Sequence, residues 1–229
     1  MPSHRIPFAV HLSYLFIGLL VAFAAITNTY QYAETKRLVT DEVGHRFELI
    51  GRNASEDITH TYRSAALAAT LLAKQQLIFA NTLEQRLASL PWLATVLNAN
   101  PNANAMFLGY ENGDFFMLRP WRGDPKLQAL FDAPPGTGWM VQSIQVTDGK
   151  TVGEHLFFNA EMALIERRRK ADYRYDPRTR EWYIQALASD GLFVQPPYIF
   201  SSTGEVGSTF AVEADTGLAV AGVDITLRS

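Results

Sequence analysis

From Ile6 to Ala33 the chain carries no Asp, Glu, Lys or Arg. Its centre, LSYLFIGLLVAFAAI, is apolar almost throughout. A helix needs about 20 such residues to cross the hydrocarbon core of a bilayer. His4 and Arg5 precede the stretch and Glu34 follows it at once. The bias of basic residues toward the cytoplasmic side then places residues 1–7 as a cytoplasmic tail and residues 8–30 as a membrane helix, with the rest of the chain outside. Tyr30 and Tyr32 suit the outer interface. Two other readings stay open. Ala22 to Ala24 spells Ala-Phe-Ala, which is compatible with cleavage of a signal peptide. The stretch also reads as a buried core helix.

Residues 31–90 read as one long stalk helix. Leu38, Phe47, Ile50, Ile58, Tyr62, Leu67, Leu71, Leu72, Ile78, Leu83, Leu87 and Leu90 recur near the helical period, with no proline before Pro91. Gly44 and Gly51 weaken the first half. A helix of this length suits a stalk or a dimerising spine, and it predicts a homodimer through the long helix. The heptad pattern is not strict, so one face laid on its own domain is an equal reading.

Residues 91–229 carry a different pattern. Pro91 opens a short helix, and the NANPNANA stretch that follows is turn-rich. Two apolar runs flank Asn112-Gly113, a strong hairpin signal. A loop with one helical turn follows, then a strand and a turn at Asp148-Gly149. Glu166 to Lys170, ERRRK, is a basic cluster: a solvated face, or a point of attraction for an anionic ligand or partner. Asp176 and Pro177 predict a helix N-terminus, running to about Ala188 and stopping before Gly191. Three apolar runs close the chain, and the last, LAVAGVDITL, reads as a central strand. This order predicts an α+β fold, an antiparallel sheet with helices.

The 229 residues hold no cysteine, which excludes disulfides and cysteine-ligated metal. A net charge of −3 argues against nucleic acid as a partner. No Gly-x-Ser-x-Gly or His-Glu-x-x-His is present, and the five histidines are scattered. A periplasmic hydrolase and a purely structural dimerising anchor are the competing readings. No catalytic residue, metal or cofactor is expected.

Tyr175, Arg180, Trp182 and Tyr183 crowd the helix start, with Tyr198 and Asp224 downstream. A small carboxylate needs a cationic partner once it is buried, and a zwitterionic amino acid needs a charged partner at each end. Arg180 and Asp224 supply those two charges, and aromatic faces add attraction for an ammonium. The bland readings stand beside this one. Trp182 suits a core, Arg180 suits a structural carboxylate or carbonyl, and Asp224 suits the anchoring of a strand end.

At YDPRTREWY and AVAGVDITL the chain resembles the extracytoplasmic double Cache domain, the PAS-like sensor module of bacterial transmembrane receptors. The resemblance covers about residues 35–229 and implies a long helix packed on a PAS-like antiparallel sheet, the membrane-distal module. It implies a sensor exposed to the periplasm, anchored in the bacterial inner membrane. In the amino-acid-binding branch of that family, the residues matching Tyr175, Arg180 and Trp182 hold the ligand carboxylate. Those matching Tyr198 and Asp224 hold its ammonium, and the one matching Tyr183 shapes the pocket. The chain closes at Arg228-Ser229, straight after the GVDI strand. On the resemblance it therefore reads as a distal module without its proximal module, second membrane helix and output domain. That output is expected to be a nucleotide cyclase, a diguanylate cyclase, a kinase or a chemotaxis coupler.

Overall fold

Alternation along the strands decides most of this architecture, because successive side chains face opposite sides of a sheet. In a computed structural model the chain divides into two compact units, residues 1–58 and 59–229. The structure describes residues 16–20, 23, 27–28, 58–147, 149–171, 173–200 and 203–226. In the first unit residues 16–20 are helical, and Phe16, Ile17, Leu19 and Leu20 are exposed. No helix among the described residues is long and apolar enough to cross a membrane. Most of the span expected at 8–30, and the stalk from 31 to 57, lie outside the described residues.

The second unit opens within helix α1, whose described residues are 58–72. Ala65, Ala68, Ala69 and Leu72 form its buried stripe at helical spacing, and the small alanines let it lie close to the sheet. The single helix expected to reach Leu90 is interrupted. Gln75 is extended (φ −82°, ψ 153°), and a 3-10 turn follows at Gln76–Phe79. Helix α2 (Leu83–Leu87) then starts afresh on a capping box between Thr82 and Gln85. Helix α3 (Leu90–Ala99) carries Pro91 in its first turn, where the missing N–H is not needed.

The strands are β1 (Ala103–Tyr110), β2 (Phe115–Pro120), β3 (Trp139–Thr147), β4 (Lys150–Phe158), β5 (Leu164–Ala171), β6 (Leu192–Val194), β7 (Tyr198–Ile199), β8 (Val206–Glu213) and β9 (Ala219–Thr226). Helix α4 (Pro125–Phe131) follows β2, and α5 (Glu181–Ala188) follows β5. The strands join one antiparallel sheet in the order β5-β4-β3-β2-β1-β9-β8-β6, with β7 also pairing to β8. The α+β class with an antiparallel sheet is as the sequence predicts. The Asn112-Gly113 hairpin forms between β1 and β2, with Gly113 at φ 91°, where a side chain would be strained. The ERRRK cluster is extended and lies in edge strand β5.

Each face of the sheet has its own core. Met106, Leu108, Phe116, Leu118, Val141 and Val223 pack with α1, α2 and α3. Ala105, Phe107, Phe115, Met117, Met140 and Val220 point to the opposite side, where Trp182, Tyr183 and Ala186 of α5 cover part of the sheet. The helical face also holds a buried ion pair. Arg86 donates to Asp114 at 2.6 Å, with the two side chains 1% and 5% exposed. Asp114 also accepts from the Val146 amide at 2.8 Å, and the Arg86 guanidinium lies 4.2 Å from the centre of the Tyr110 ring. This set ties α2 to the β1–β2 hairpin and to β3.

Candidate functional site

The face opposite α1 carries an open-sided cavity of about 400 Å³. Its floor is built from alternate residues of neighbouring strands: Phe107 on β1, Phe115, Met117 and Arg119 on β2, Gln142 on β3, His155 on β4, Arg168 and Lys170 on β5, and Asp224 on β9. Its roof comes from Leu130 and Phe131 of α4, Tyr173 and Tyr175 of the β5–α5 connection, Trp182 of α5, and Tyr198 and Phe200. Glycines let the roof come down. A Cβ on Gly109 would stand 2.7 Å from Pro177 and 2.8 Å from the Trp182 indole, so the α5 entry rests directly on the β1 backbone.

The connection into α5 departs slightly from the sequence expectation. Asp176 caps as expected, accepting from the Arg178 amide at 3.0 Å, but what it caps is a 3-10 turn, Pro177–Thr179. Arg180 is extended (φ −89°, ψ 141°), and α5 begins one residue later. The α-helix still ends at Ala188, before Gly191. Arg178 folds back on Asp176 at 2.7 Å and donates to the Glu111 carbonyl, away from the cavity wall.

Of the six residues singled out in the sequence, Tyr175, Trp182, Tyr198 and Asp224 line this one cavity. Arg180 stands behind Tyr175, its guanidinium carbon 5.6 Å from the ring centre. Tyr183, one position on from Trp182, is turned toward Gly109 and buried beside the indole, off the cavity wall. Trp182 is both wall and core: its ring lies edge-on to Phe107 at 4.9 Å. Arg119, Gln142, His155, Arg168, Lys170 and Tyr173 complete the polar lining, beyond the six residues expected to bind a ligand. Arg168 and Lys170 belong to the basic cluster, and alternation on β5 sends those two to the cavity side. Arg167 faces the other way, pairing with Glu154 at 2.6 Å.

Asp224 is the most constrained group. It is 8% exposed and accepts a 2.6 Å hydrogen bond from Thr209. The Tyr198 hydroxyl lies 2.8 Å from the same Thr209 oxygen. Burial pushes the Asp224 carboxyl up to about 6, against the opposing effects of the Thr209 bond and the Arg119 charge. Burial and then the Asp224 charge push the Tyr198 hydroxyl up to about 12. Burial raises Tyr175 as well, opposed first by Arg180. Burial lowers Arg119, which is 3% exposed, and the Asp224 carboxylate is the leading opposing influence. At this end, then, a dry carboxylate, a hydroxyl pair and two guanidinium groups stand around aromatic walls. Among the described residues no group of three His, Asp or Glu side chains is placed to hold a metal ion. The arrangement suits capture of a small zwitterion more than bond cleavage.

No protein-family model matches the chain. Adenylate cyclase 1 of Rhizobium meliloti (strain 1021) is 32% identical over 131 residues, covering 56% of this chain and 19% of the cyclase. The chain thus spans about a fifth of the length of that curated relative. Among solved structures, the chain is similar to the ligand-binding domain of a Campylobacter jejuni chemoreceptor in complex with L-valine. That match has 21% identity and a TM-score of 0.42, over 75% of this chain and 53% of that one. It is also similar to the ligand-binding domain of a Pseudomonas fluorescens chemoreceptor in complex with L-serine. There the identity is 20% and the TM-score 0.41, over 75% of this chain and 54% of that one.

Proposed function

We propose that this chain is the extracytoplasmic, ligand-sensing region of a bacterial transmembrane signalling receptor, and that its cavity binds an amino acid or another small carboxylate. The observation that carries this reading is the buried Asp224 facing an aromatic-walled cavity that Tyr175, Trp182 and Tyr198 also line. An ammonium at Asp224 adds to the counter-charge that Arg119 supplies to this desolvated carboxylate. Arg180, beside Tyr175, is the partner for the ligand carboxylate. The spacing from Tyr175 to Tyr183, and the closing GVDI strand, support placement in the double Cache family. Residues 8–30 supply the membrane anchor, and residues 31–72, ending in α1, supply the contact in a homodimer. The similarity to part of an adenylate cyclase supports a nucleotide cyclase as the output that the sensor controls.

A thermal-shift screen of the full chain against the common amino acids tests the binding step, with Arg180→Ala in parallel. A raised melting midpoint that disappears in the variant supports the clamp. A folded chain whose midpoint moves with none of them overturns it.

A further inference from the structure

The cavity extends well past Asp224, and the sheet register shows how far. Met117, Gln142, His155 and Arg168 are successive cross-strand partners in one row, and all four line the cavity. Lys170 follows Arg168 on the same face of β5 and lines it too. With strands about 4.8 Å apart, His155 on β4 lies roughly 14 Å along the sheet from Phe107 on β1. Phe107 is the floor beneath Trp182. An amino acid clamped by its two charged ends near Asp224 and Trp182 therefore sends its side chain toward β4 and β5.

The groups waiting there are polar, and Tyr173, Arg168 and Lys170 are donors. His155 is 8% exposed, and its Nε2 has no hydrogen-bond partner. The Tyr173 hydroxyl accepts from Gln142 Nε2 at 3.1 Å, which leaves its own proton to give. Tyr173 is held down on the sheet, for a Cβ on Gly153 would come within 2.6 Å of its ring. Arg168 has its charge matched by Glu166 at 2.5 Å, whereas Lys170 makes no ion pair among the described residues. Burial, and then the Lys170 and Arg168 charges, push the His155 imidazole down to about 4, so the ring is neutral at pH 7. An apolar side chain entering here would cover the His155 nitrogen and the Tyr173 hydroxyl without pairing either.

We propose that the β4–β5 end of the cavity holds an anionic group on the ligand's side chain, so that the ligand is an acidic amino acid. Lys170, His155 and Tyr173 are then the specificity-determining residues. This rests on the reading of the cavity as an amino-acid site.

Titration calorimetry on the full chain tests it, with aspartate, glutamate and 2-aminoadipate as probes beside asparagine, glutamine and valine. The best-bound acid is expected to bind roughly tenfold or more tightly than its amide, the scale of one charge-assisted hydrogen bond. Lys170→Met removes most of that preference, weakening the acid far more than the amide; Lys170 is exposed, and circular dichroism checks that the variant folds. His155→Gln reduces the preference by a smaller factor. Amides or valine binding as tightly as the acids overturn the proposal while the amino-acid reading survives. Retention of the full preference in Lys170→Met overturns it as well. No binding of any probe by a folded chain overturns both.

Discussion

Thr209 donates a 2.6 Å hydrogen bond to Asp224 directly across the β8–β9 pair. The bond fixes the carboxyl, yet burial still dominates and holds it near 6, above its ordinary value of 3.8. A single hydroxyl donor does not replace the hydration that the group loses.

That balance gives a pH dependence with a definite sign. Because folding raises the Asp224 pKa, its contribution to stability is full below about pH 4 and is lost as pH rises through 6. Relative to Asp224→Asn, the native chain should lose roughly 2–3 kcal/mol of stability between pH 4 and pH 7, at about 1.4 kcal/mol for each tenfold change in proton affinity. Urea unfolding of both proteins at several pH values measures this. A difference that stays constant across the range contradicts it. Amino-acid affinity should run the other way, rising as Asp224 ionises through about pH 6.

His155 works in the opposite direction. Its pKa is depressed to about 4 from an ordinary 6.5, so its contribution to stability is present above pH 6.5 and lost as pH falls through 4. Melting midpoints of His155→Gln, compared with the native chain from pH 7 down to pH 4, should converge on or overtake it as the medium becomes more acid. Parallel curves are the contrary result.

Asp114→Ala should be the most damaging single change away from the cavity. It leaves Arg86 buried at 1% exposure without its 2.6 Å partner. Removing one member of such a pair costs about 3–5 kcal/mol. Equilibrium urea denaturation reads the loss directly, and a change below about 1 kcal/mol would refute the role given to this pair.

Gly109→Ala adds a methyl group where Pro177 and Trp182 already sit at 2.7 and 2.8 Å. Overpacking of this kind costs about 1–3 kcal/mol. Since Trp182 is also cavity wall, the same variant should blunt the response to amino acids in the thermal-shift assay. A variant as stable and as responsive as the native chain would show that the contact yields freely.

Much of this fold is legible in the sequence. Asn112-Gly113 announces its hairpin, and the unbroken apolar run around Asp224 announces a central strand that is buried along its whole length. The break after residue 72 is harder to read. An apolar period continues across it, and only the Thr82–Gln85 capping box marks the new start. The helix cap at Asp176 is real but belongs to a 3-10 turn, so the α-helical phase is set one residue past Arg180. That phase helps decide that Trp182 reaches the cavity and Tyr183 does not. Arg119, Gln142 and His155 are the least legible. Each lies on a different strand, and only the cross-strand register brings them to one wall.

The sheet is also a partition. Phe107 faces the cavity while its neighbours Met106 and Leu108 face α1 and its companion helices, and β2 repeats this with Met117 between Phe116 and Leu118. A molecule in the cavity and the helical layer are thus divided by one thickness of hydrogen-bonded backbone. Strands tied on both sides cannot let one side chain swing through to the far face. On the proposed sensing role, occupancy would therefore reach the helical layer as a tilt or slide of whole strands.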